Sequence, residues 1–436
     1  MVTTRDTPAA ITETAAIGGN PCLHIVVHDF SGHAFTAQLA RELARRGNRI
    51  DYVSCAAFAS PKGDVGRRPD DPSGFRAHPL GAGGIIDKEN LIRRFRQERA
   101  YGAAAARLVS ALGADVVLSA NAPIAVQRAL ARAASRNGAA FVAWVQDLHA
   151  DAIEGLIGKR HRATARVLSS IARRFERACL RSSDGVVLID EAFRERLMGD
   201  PWRLALPRAA VIPNWSAMPV ADEVAPVGGL RRSGRRPVLV YAGTLARKHD
   251  PALLLALAAE VDAELRVHAE GSNADWLAAE ADRMGLSSLR VLPWSPVEAL
   301  PAALAEADVL VAVLDPVATG WSIPSKILTY MAAGRPTLAA IPAGNPAARL
   351  LSRTQAGLVV EPTDRRGFVE GARRLIGDAG LRDVMGRNGR RHAREAFAIS
   401  PIAAVFETEL RRAIEHRASR TGTPAPARSR NRLLTS

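Results

Sequence analysis

Short, unbroken apolar runs recur along the chain, each followed by a polar loop and then a stretch with helical spacing. The runs at residues 23–28, 50–54, 116–119, 141–145, 186–189 and 210–212 predict strands. Their lack of polar alternation fits strands covered on both faces of a parallel sheet. A helix is predicted between the first two, ending at the stop signal Arg45-Arg46-Gly47. Residues 218–236 mix Pro, Gly and charge without period and read as a linker. A second series follows, with strands predicted at 237–241, 265–268, 289–292, 309–313, 337–341 and 358–360 and helices such as 251–261 and 276–284. This alternation predicts two doubly wound, Rossmann-like α/β domains, at 21–217 and 237–396, facing across a cleft. Residues 1–20 and 419–436 read as a disordered extension and a disordered basic tail. Open α/β sheets bind ligands beyond the carboxyl ends of their strands, so chemistry is expected in the loops that follow the strands.

Composition narrows the class. Of the 436 residues 47% are hydrophobic and 24% charged, which excludes a mainly disordered or collagen-like chain. No apolar run approaches the roughly 18 residues that span a bilayer. The N-terminus lacks the basic and apolar regions of a secretory signal. Cys22, Cys55 and Cys179 form neither a disulfide framework nor a metal pattern, and they fit a reducing, cytoplasmic setting.

The net charge is +15, and the segment from Arg411 onward contributes seven Arg against one Glu. Further basic clusters lie at 88–99 and 159–181. Nucleic acid and an anionic membrane surface are the two partners such charge attracts. The aromatic-and-basic interleaving that stacks bases is missing, which disfavours nucleic acid. At 88–99, Leu91, Ile92 and Phe95 interleave with Arg93, Arg94, Arg96 and Arg99. This pattern fits a helix lying on a membrane, on the inner face of the cell, or an ordinary surface helix packing its apolar side inward.

Four loops of the second series carry candidate chemistry. The strand at 237–241 runs into Ala242-Gly243-Thr244-Leu245-Ala246-Arg247-Lys248, where Gly243 permits close backbone approach and Arg247 and Lys248 bring cations to a helix start. The chain holds only five lysines against 54 arginines, so a surviving Lys marks a place for a compact point charge. Lys326 is the second of these in a strand-end loop. There Ser322 is a candidate cap, Pro324 a first-turn residue, and the amides near Ser325 and Lys326 a candidate anion seat. Glu270-Gly271 offers room for a phosphate or sugar, or is an ordinary turn. Trp294 to Val297 offers a wall for a base, or Trp294 packs on a helix. In the first series, Ser31, Gly32 and His33 suit a sugar or acceptor contact. Gln146-Asp147-Leu148-His149-Ala150-Asp151 is the densest polar strand end, with carboxylates fit for base or orienting work or for helix capping.

The chain contains no complete G-x-G-x-x-G, Walker-A, G-x-S-x-G or H-E-x-x-H sequence. It also has no D-x-D with which to present a metal to a diphosphate. Side chains and helix dipoles are then expected to neutralise any diphosphate, with no metal and no cofactor.

These residues resemble the retaining GT-B-fold glycosyltransferases of the family-4 type, especially the colanic acid and O-antigen branch. The resemblance spans roughly residues 22–416 and rests on five stretches in order. They are Asp29-Phe30-Ser31-Gly32-His33; Val145-Gln146-Asp147-Leu148; Val211-Ile212-Pro213-Asn214-Trp215; Gly243 through His249; and Pro324 through Pro336. The resemblance implies a nucleotide diphosphate-sugar donor held by the second domain. Lys248, Arg247, Gly243, Thr244, Ser325 and Lys326 would be at the diphosphate. Glu270, Gly271, Trp294, Val297 and Ser322 would be at the base and sugar. It implies an acceptor, lipid-linked or small, on the first domain, where Ser31, Gly32 and His33 are the candidates, with Asp147 and Lys248 in catalytic roles. His149 is a further acceptor-side candidate near the loop, but it is not the position that matches the family's His. It also implies a C-terminal helix, at 397–418, that crosses back to the first domain.

The sequence departs from the family where relatives carry a spaced Glu pair, here Trp321 and Thr329, and where they carry His-Asp, here Gln146-Asp147. Without a second carboxylate nucleophile, retention would proceed by front-side attack. A nucleotide-sugar epimerase of the same fold and a basic nucleic-acid-binding protein are the competing readings. The first would release epimerised donor without acceptor. The second would bind RNA with steep salt dependence.

Overall fold

The computed structural model describes residues 21–58, 65–87, 90–158, 161–220, 235–245, 249–296, 298–316 and 323–422. Residues 1–20, most of the linker and the end of the basic tail lie outside them.

The first sheet holds β1 (His24–Asp29), β2 (Arg49–Cys55), β3 (Phe75–Leu80), β4 (Val116–Ala120), β5 (Ala140–Val145), β6 (Gly185–Leu188) and β7 (Ala209–Val211). Its helices are α1 (Ala34–Arg45), α2 (Leu91–Leu112), α3 (Ile124–Arg136), α4 (His149–Gly158), α5 (Arg162–Ser182) and α6 (Glu191–Met198). The second sheet holds β8 (Val238–Ala242), β9 (Glu264–His268), β10 (Leu289–Leu292), β11 (Val309–Val313), β12 (Thr337–Ala340) and β13 (Gly357–Val360). Its helices are α7 (Pro251–Glu260), α8 (Ser272–Arg283), α9 (Leu300–Ala305), α10 (Lys326–Ala332), α11 (Pro346–Thr354), α12 (Arg365–Gly377) and α13 (Ala379–Ala396), and α14 (Ile399–Thr421) follows.

Both sheets are parallel, with orders β3-β2-β1-β4-β5-β6-β7 and β10-β9-β8-β11-β12-β13. The doubly wound architecture expected from the apolar runs is present twice. Strands β1, β4, β5, β8 and β11 are almost wholly buried, which is why they read as unbroken apolar runs. The order of each sheet reverses between two strands, β1 and β4 in the first and β8 and β11 in the second. A crevice opens at such a switch point.

One strand was not expected. The sequence of β3, Phe-Arg-Ala-His-Pro-Leu, is half exposed at the sheet edge, where Pro79 can be tolerated because it owes no ladder hydrogen bond on the open side.

The few aromatics gather at one place. Trp144 on β5 lies 4.6 Å from Phe406 on α14 and stacks at 5.9 Å on Trp215, and Phe35 contacts both tryptophans edge-on. Trp215 Nε1 donates to Gln38 Oε1 at 2.7 Å. This cluster ties α14 and the end of the first domain to the first sheet. Arginines complete the docking of α14: Arg417 donates to the carbonyls of Ser135 and Gly138, and Arg420 pairs with buried Asp184 at 2.8 Å. Arg411 pairs with Glu407, which also holds Arg46. Three of the seven arginines in the segment from Arg411 onward, Arg411, Arg417 and Arg420, are therefore paired within the fold.

His28 on β1 is fully buried, with Nδ1 3.2 Å from Ser119 Oγ and Nε2 3.0 Å from Tyr101 Oη. Burial lowers its pKa from 6.5 to about 4, against the opposing pull of Asp29. Between those values the unfolded chain binds a proton that the folded chain refuses. Stability therefore falls as pH drops through that window, by roughly 3 kcal/mol at its end. Denaturant melts near neutrality and at about pH 4.5 read this loss, which should shrink in His28→Asn. An unchanged slope in that variant would place the acid sensitivity elsewhere.

Candidate active site

At the switch point of the second sheet, β8 and β11 pair only through Val309 with Leu239 and Leu310 with Val240. Beyond these pairs the hydroxyl of Tyr330, on α10, fills the gap. It accepts from the Ala242 amide at 2.9 Å and lies 3.2 Å from the Val311 carbonyl, to which it can donate. Burial raises the pKa of this phenol, so it stays a neutral donor and acceptor. Tyr330 thereby fixes α10 to the strand ends. Lys326 is four residues earlier, on the same face of the helix.

Lys326 Nζ sits 3.6 Å from the centroid of the Tyr241 ring. A Cβ placed on Gly243 would lie 3.7 Å from Lys326 Cε and 3.9 Å from Nζ. Gly243 has φ +123, which disfavours any side chain, and its amide donates to the His268 carbonyl at 3.0 Å. Tyr241 Oη donates to the Thr244 carbonyl at 2.8 Å. Bare backbone and an ammonium group thus meet at the carboxyl end of β8. This is the equipment of an anion site at a switch point.

The helix after this loop begins later than the sequence reading expected. Ser325 occupies the N-cap of α10 without a side-chain cap bond, and Pro324 lies before the helix. The Ile327 amide already bonds the Pro324 carbonyl at 3.2 Å, so the chain turns tightly before helical spacing starts. Ser325 is exposed beside Lys326. Arg247, Lys248, Val297 and Ser322 lie outside the described residues.

The neighbouring strand ends are tied together. The Trp294 amide donates to Glu270 Oε1 at 3.2 Å, and Ser295 Oγ lies 2.9 Å from His268 Nδ1. Gly271, with φ +105, precedes the first turn of α8. Glu270, Gly271 and Trp294 therefore flank the Gly243 loop, because β8 and β9 pair at Ala242 and His268.

In the first domain a buried carboxylate that the sequence reading did not single out organises the loop. Asp29 accepts from the amides of Ser31 and His33, at 3.0 and 2.6 Å, and from Thr36 Oγ1 at 2.5 Å. Its Oδ2 lies 3.1 Å from His33 Nδ1. Burial works against its charge, but His33, Thr36 and the His33 amide together hold its pKa below the usual carboxylate value. With Nδ1–H given to Asp29, His33 keeps an Nε2 lone pair, 3.4 Å from Asn121 Nδ2. Asn121 also donates to Ser31 Oγ at 3.2 Å and has φ +38. Ser31, Gly32, His33 and Asn121 thus form one polar group at the β1–β4 switch point. The position of Asn121 directly after a predicted strand was the available signal for it.

At the end of β5, Asp147 is half-buried and makes no ion pair or side-chain hydrogen bond with a described residue. Glu176 caps α4 through the amides of His149 and Ala150 and lies 3.3 Å from His149 Nδ1. Burial opposes a charge on His149, but the bond and charge of Glu176, helped by Asp147 and Glu98, raise its pKa above 6.5. Asp151, one of the candidate carboxylates, is committed elsewhere: it accepts from Trp202 Nε1 at 3.0 Å and pairs with Arg196 at 2.7 Å.

The two strand-end sets face one another. Ser216 donates to Thr329 on α10 at 3.4 Å, and Arg349 at the start of α11 lies 3.4 Å from Asp190 after β6. Two parallel doubly wound domains set edge to edge in this way define the GT-B arrangement.

Comparison with known proteins gives the family. Residues 32–215 match the "Glycosyl transferase 4-like domain" model, and residues 236–378 match the "Glycosyl transferases group 1" model. The chain belongs to the group 1, family-4-type glycosyltransferases of the GT-B fold. WcaI of Escherichia coli (strain K12), named as a colanic acid biosynthesis glycosyl transferase, is 26% identical over 210 residues. That match covers 46% of this chain and 51% of WcaI, so the chain spans about half the length of this curated relative. Among solved structures, sucrose-phosphate synthase from Thermosynechococcus elongatus aligns over 90% of this chain and 99% of its own, with TM-score 0.70 and 16% identity. HepE from Anabaena, in complex with UDP and glucose, aligns over 89% of this chain and 99% of its own, with TM-score 0.62 and 15% identity.

Proposed function

We propose that this glycosyltransferase moves a sugar from a nucleotide diphosphate-sugar to an acceptor in cell-surface polysaccharide or glycoconjugate assembly, with retention and without a metal. The observation that carries the reading is Lys326 Nζ seated against Gly243 and Tyr241 at the carboxyl end of β8. An ammonium beside bare backbone suits a diphosphate, and it stabilises most strongly the charge that develops as the diphosphate leaves. In sequence, Arg247 and Lys248 fall between Thr244 and His249, both of which contact Tyr241, and they add cations to the same loop. This supply of fixed positive charge supports transfer without a metal. Glu270, Gly271 and Trp294 would then border the sugar and base.

In the transfer, the bond from the anomeric carbon to the phosphate oxygen breaks as the acceptor oxygen bonds to the same carbon. The acceptor proton passes to the departing phosphate oxygen on that face, so no carboxylate nucleophile is required. His33, with Nδ1 held by Asp29 and Nε2 beside the Asn121 amide, would line the acceptor side together with Ser31. Asp147, which makes no ion pair or side-chain hydrogen bond with a described residue, would orient the acceptor or the sugar. The anomeric NMR signal of the glycoside formed from an α-linked donor tests the stereochemistry. The α-glycoside is expected, and a β-glycoside would overturn retention.

A further inference from the structure

Two helices of the first domain turn polar side chains inward and leave large apolar ones exposed. On α5, Ser169, Arg173 and Glu176 are buried, whereas Val167, Leu168, Ile171 and Phe175 are 38–59% exposed. The start of α2 repeats the arrangement: Gln97 and Glu98 are buried, and Ile92 and Phe95 are 69% and 51% exposed. A surface helix normally does the reverse. The sequence left open that α2 packs its apolar side inward; Gln97 and Glu98 turn inward near its start, and Tyr101, Ala105 and Val109 continue that buried side along the helix.

The inward polar groups all have partners. Glu176 caps α4, and Arg173 pairs with Glu154 at 2.7 Å. Gln97 donates to the Ile85 carbonyl and accepts from the Asp87 amide, both at 2.9 Å, and so pins a loop that leaves Ile85 74% exposed. Among the described residues, the aromatic groups of this outward face are met by arginines beside them. Arg128 lies 4.2 Å over the Phe175 ring, and Arg99 lies 5.9 Å from that of Phe95.

Charge says what covers this face. The exposed positions of α5 include Arg162, Arg166, Arg174 and Arg181 and no acid, and α2 adds Arg93, Arg96 and Arg99. Among the described residues, the acids nearest the start of α2, Asp87 and Glu98, are paired with Arg93 and Arg94. Helix α3 packs against both α2 and α5, so the two stripes share one side of the sheet.

We infer that this face docks on an anionic lipid bilayer, with its apolar side chains among the headgroups and its arginines on lipid phosphates. Such a surface uses both contributions to interfacial binding, apolar insertion and attraction to anionic lipid. A second copy of the chain is the poorer occupant, because two-fold pairing would set the arginines of one copy against those of the other. The face adjoins the strand-end cluster, since Glu176 and Glu98 both act on His149. Taken with the transfer reading above, docking here would present a lipid-linked acceptor at the cleft.

The test is sedimentation of the full chain with vesicles of phosphatidylcholine alone and with about 30% phosphatidylglycerol. Binding to the anionic vesicles should be roughly tenfold tighter or more. Leu168→Ser/Ile171→Ser/Phe175→Ser should weaken it roughly tenfold, and Arg166→Gln/Arg174→Gln should weaken it and flatten its salt dependence. Equal binding to both vesicle types, no binding, or unchanged binding by both variants would overturn the inference. So would concentration-dependent dimerisation that the triple variant abolishes. A nucleotide-induced melting shift on the same preparations separates failure of docking from failure of the donor reading.

Discussion

Lys326→Ala should lower turnover of the nucleotide-sugar donor about a hundredfold, on the order of 3 kcal/mol of transition-state stabilisation. Lys326 is half-buried as a residue, but its Nζ is closed off from water between the Tyr241 ring and Gly243, so its charge is screened less than at an open surface. On the transfer reading, that charge would act on a departing diphosphate in a medium of low polarity. The fold should survive the change, because α10 is held by Tyr330 and by buried Ile327, Leu328 and Met331 rather than by Lys326. Lys326→Arg should recover little. A planar guanidinium is bulkier than an ammonium and must fit a seat closed by backbone on one side and a ring on the other. Steady-state rates with the preferred donor check both variants. Near wild-type turnover in Lys326→Ala would remove the residue from the diphosphate site.

Gly386→Ala should destabilise the second domain by about 3 kcal/mol. Gly386 lies in α13, where Ala would otherwise favour the helix by roughly 1 kcal/mol. The added Cβ would clash with the Gly334 carbonyl oxygen and stand 3.2 Å from its carbon. The atom met is backbone in the turn that ends α10, so no side-chain rotation relieves it. A Cβ added at Gly389 would lie 3.3 Å from Met331 Cα on the same seam, which limits any sliding of α13. The clash thus outweighs the gain in propensity, and separation of α13 from α10 would also disturb Lys326. Urea melts monitored on the second domain read the loss, and an unchanged midpoint would mean that the seam is looser than these contacts require.

The buried strands were legible because strands covered on both faces leave unbroken apolar runs. β3 was not, since an edge strand exposed on one side and carrying Pro79 has no such run. Within the site, Gly243 and Lys326 stood out by local chemistry: a glycine at a strand end and a rare lysine. The plug that brings them together did not. Tyr330 meets Ala242 from 88 residues away, and no local pattern encodes that contact. Asp29 was visible as part of a polar loop, yet its role in fixing the His33 ring depends on a burial that spacing does not report. The same limit hid the inverted helix α5. Its sequence supplies an apolar stripe and a basic stripe, and only the packed structure decides which one turns inward.

Thermal unfolding of the purified chain with UDP, GDP, ADP and TDP, each with and without EDTA, tests the central claim most directly. A nucleotide at about a hundred times its dissociation constant adds about 2.7 kcal/mol of stability. The account predicts a selective upward shift for one base that survives EDTA and is reduced in Lys326→Ala. No shift with any of the four, or a shift that EDTA abolishes, would contradict a metal-free nucleotide-sugar site at the end of β8.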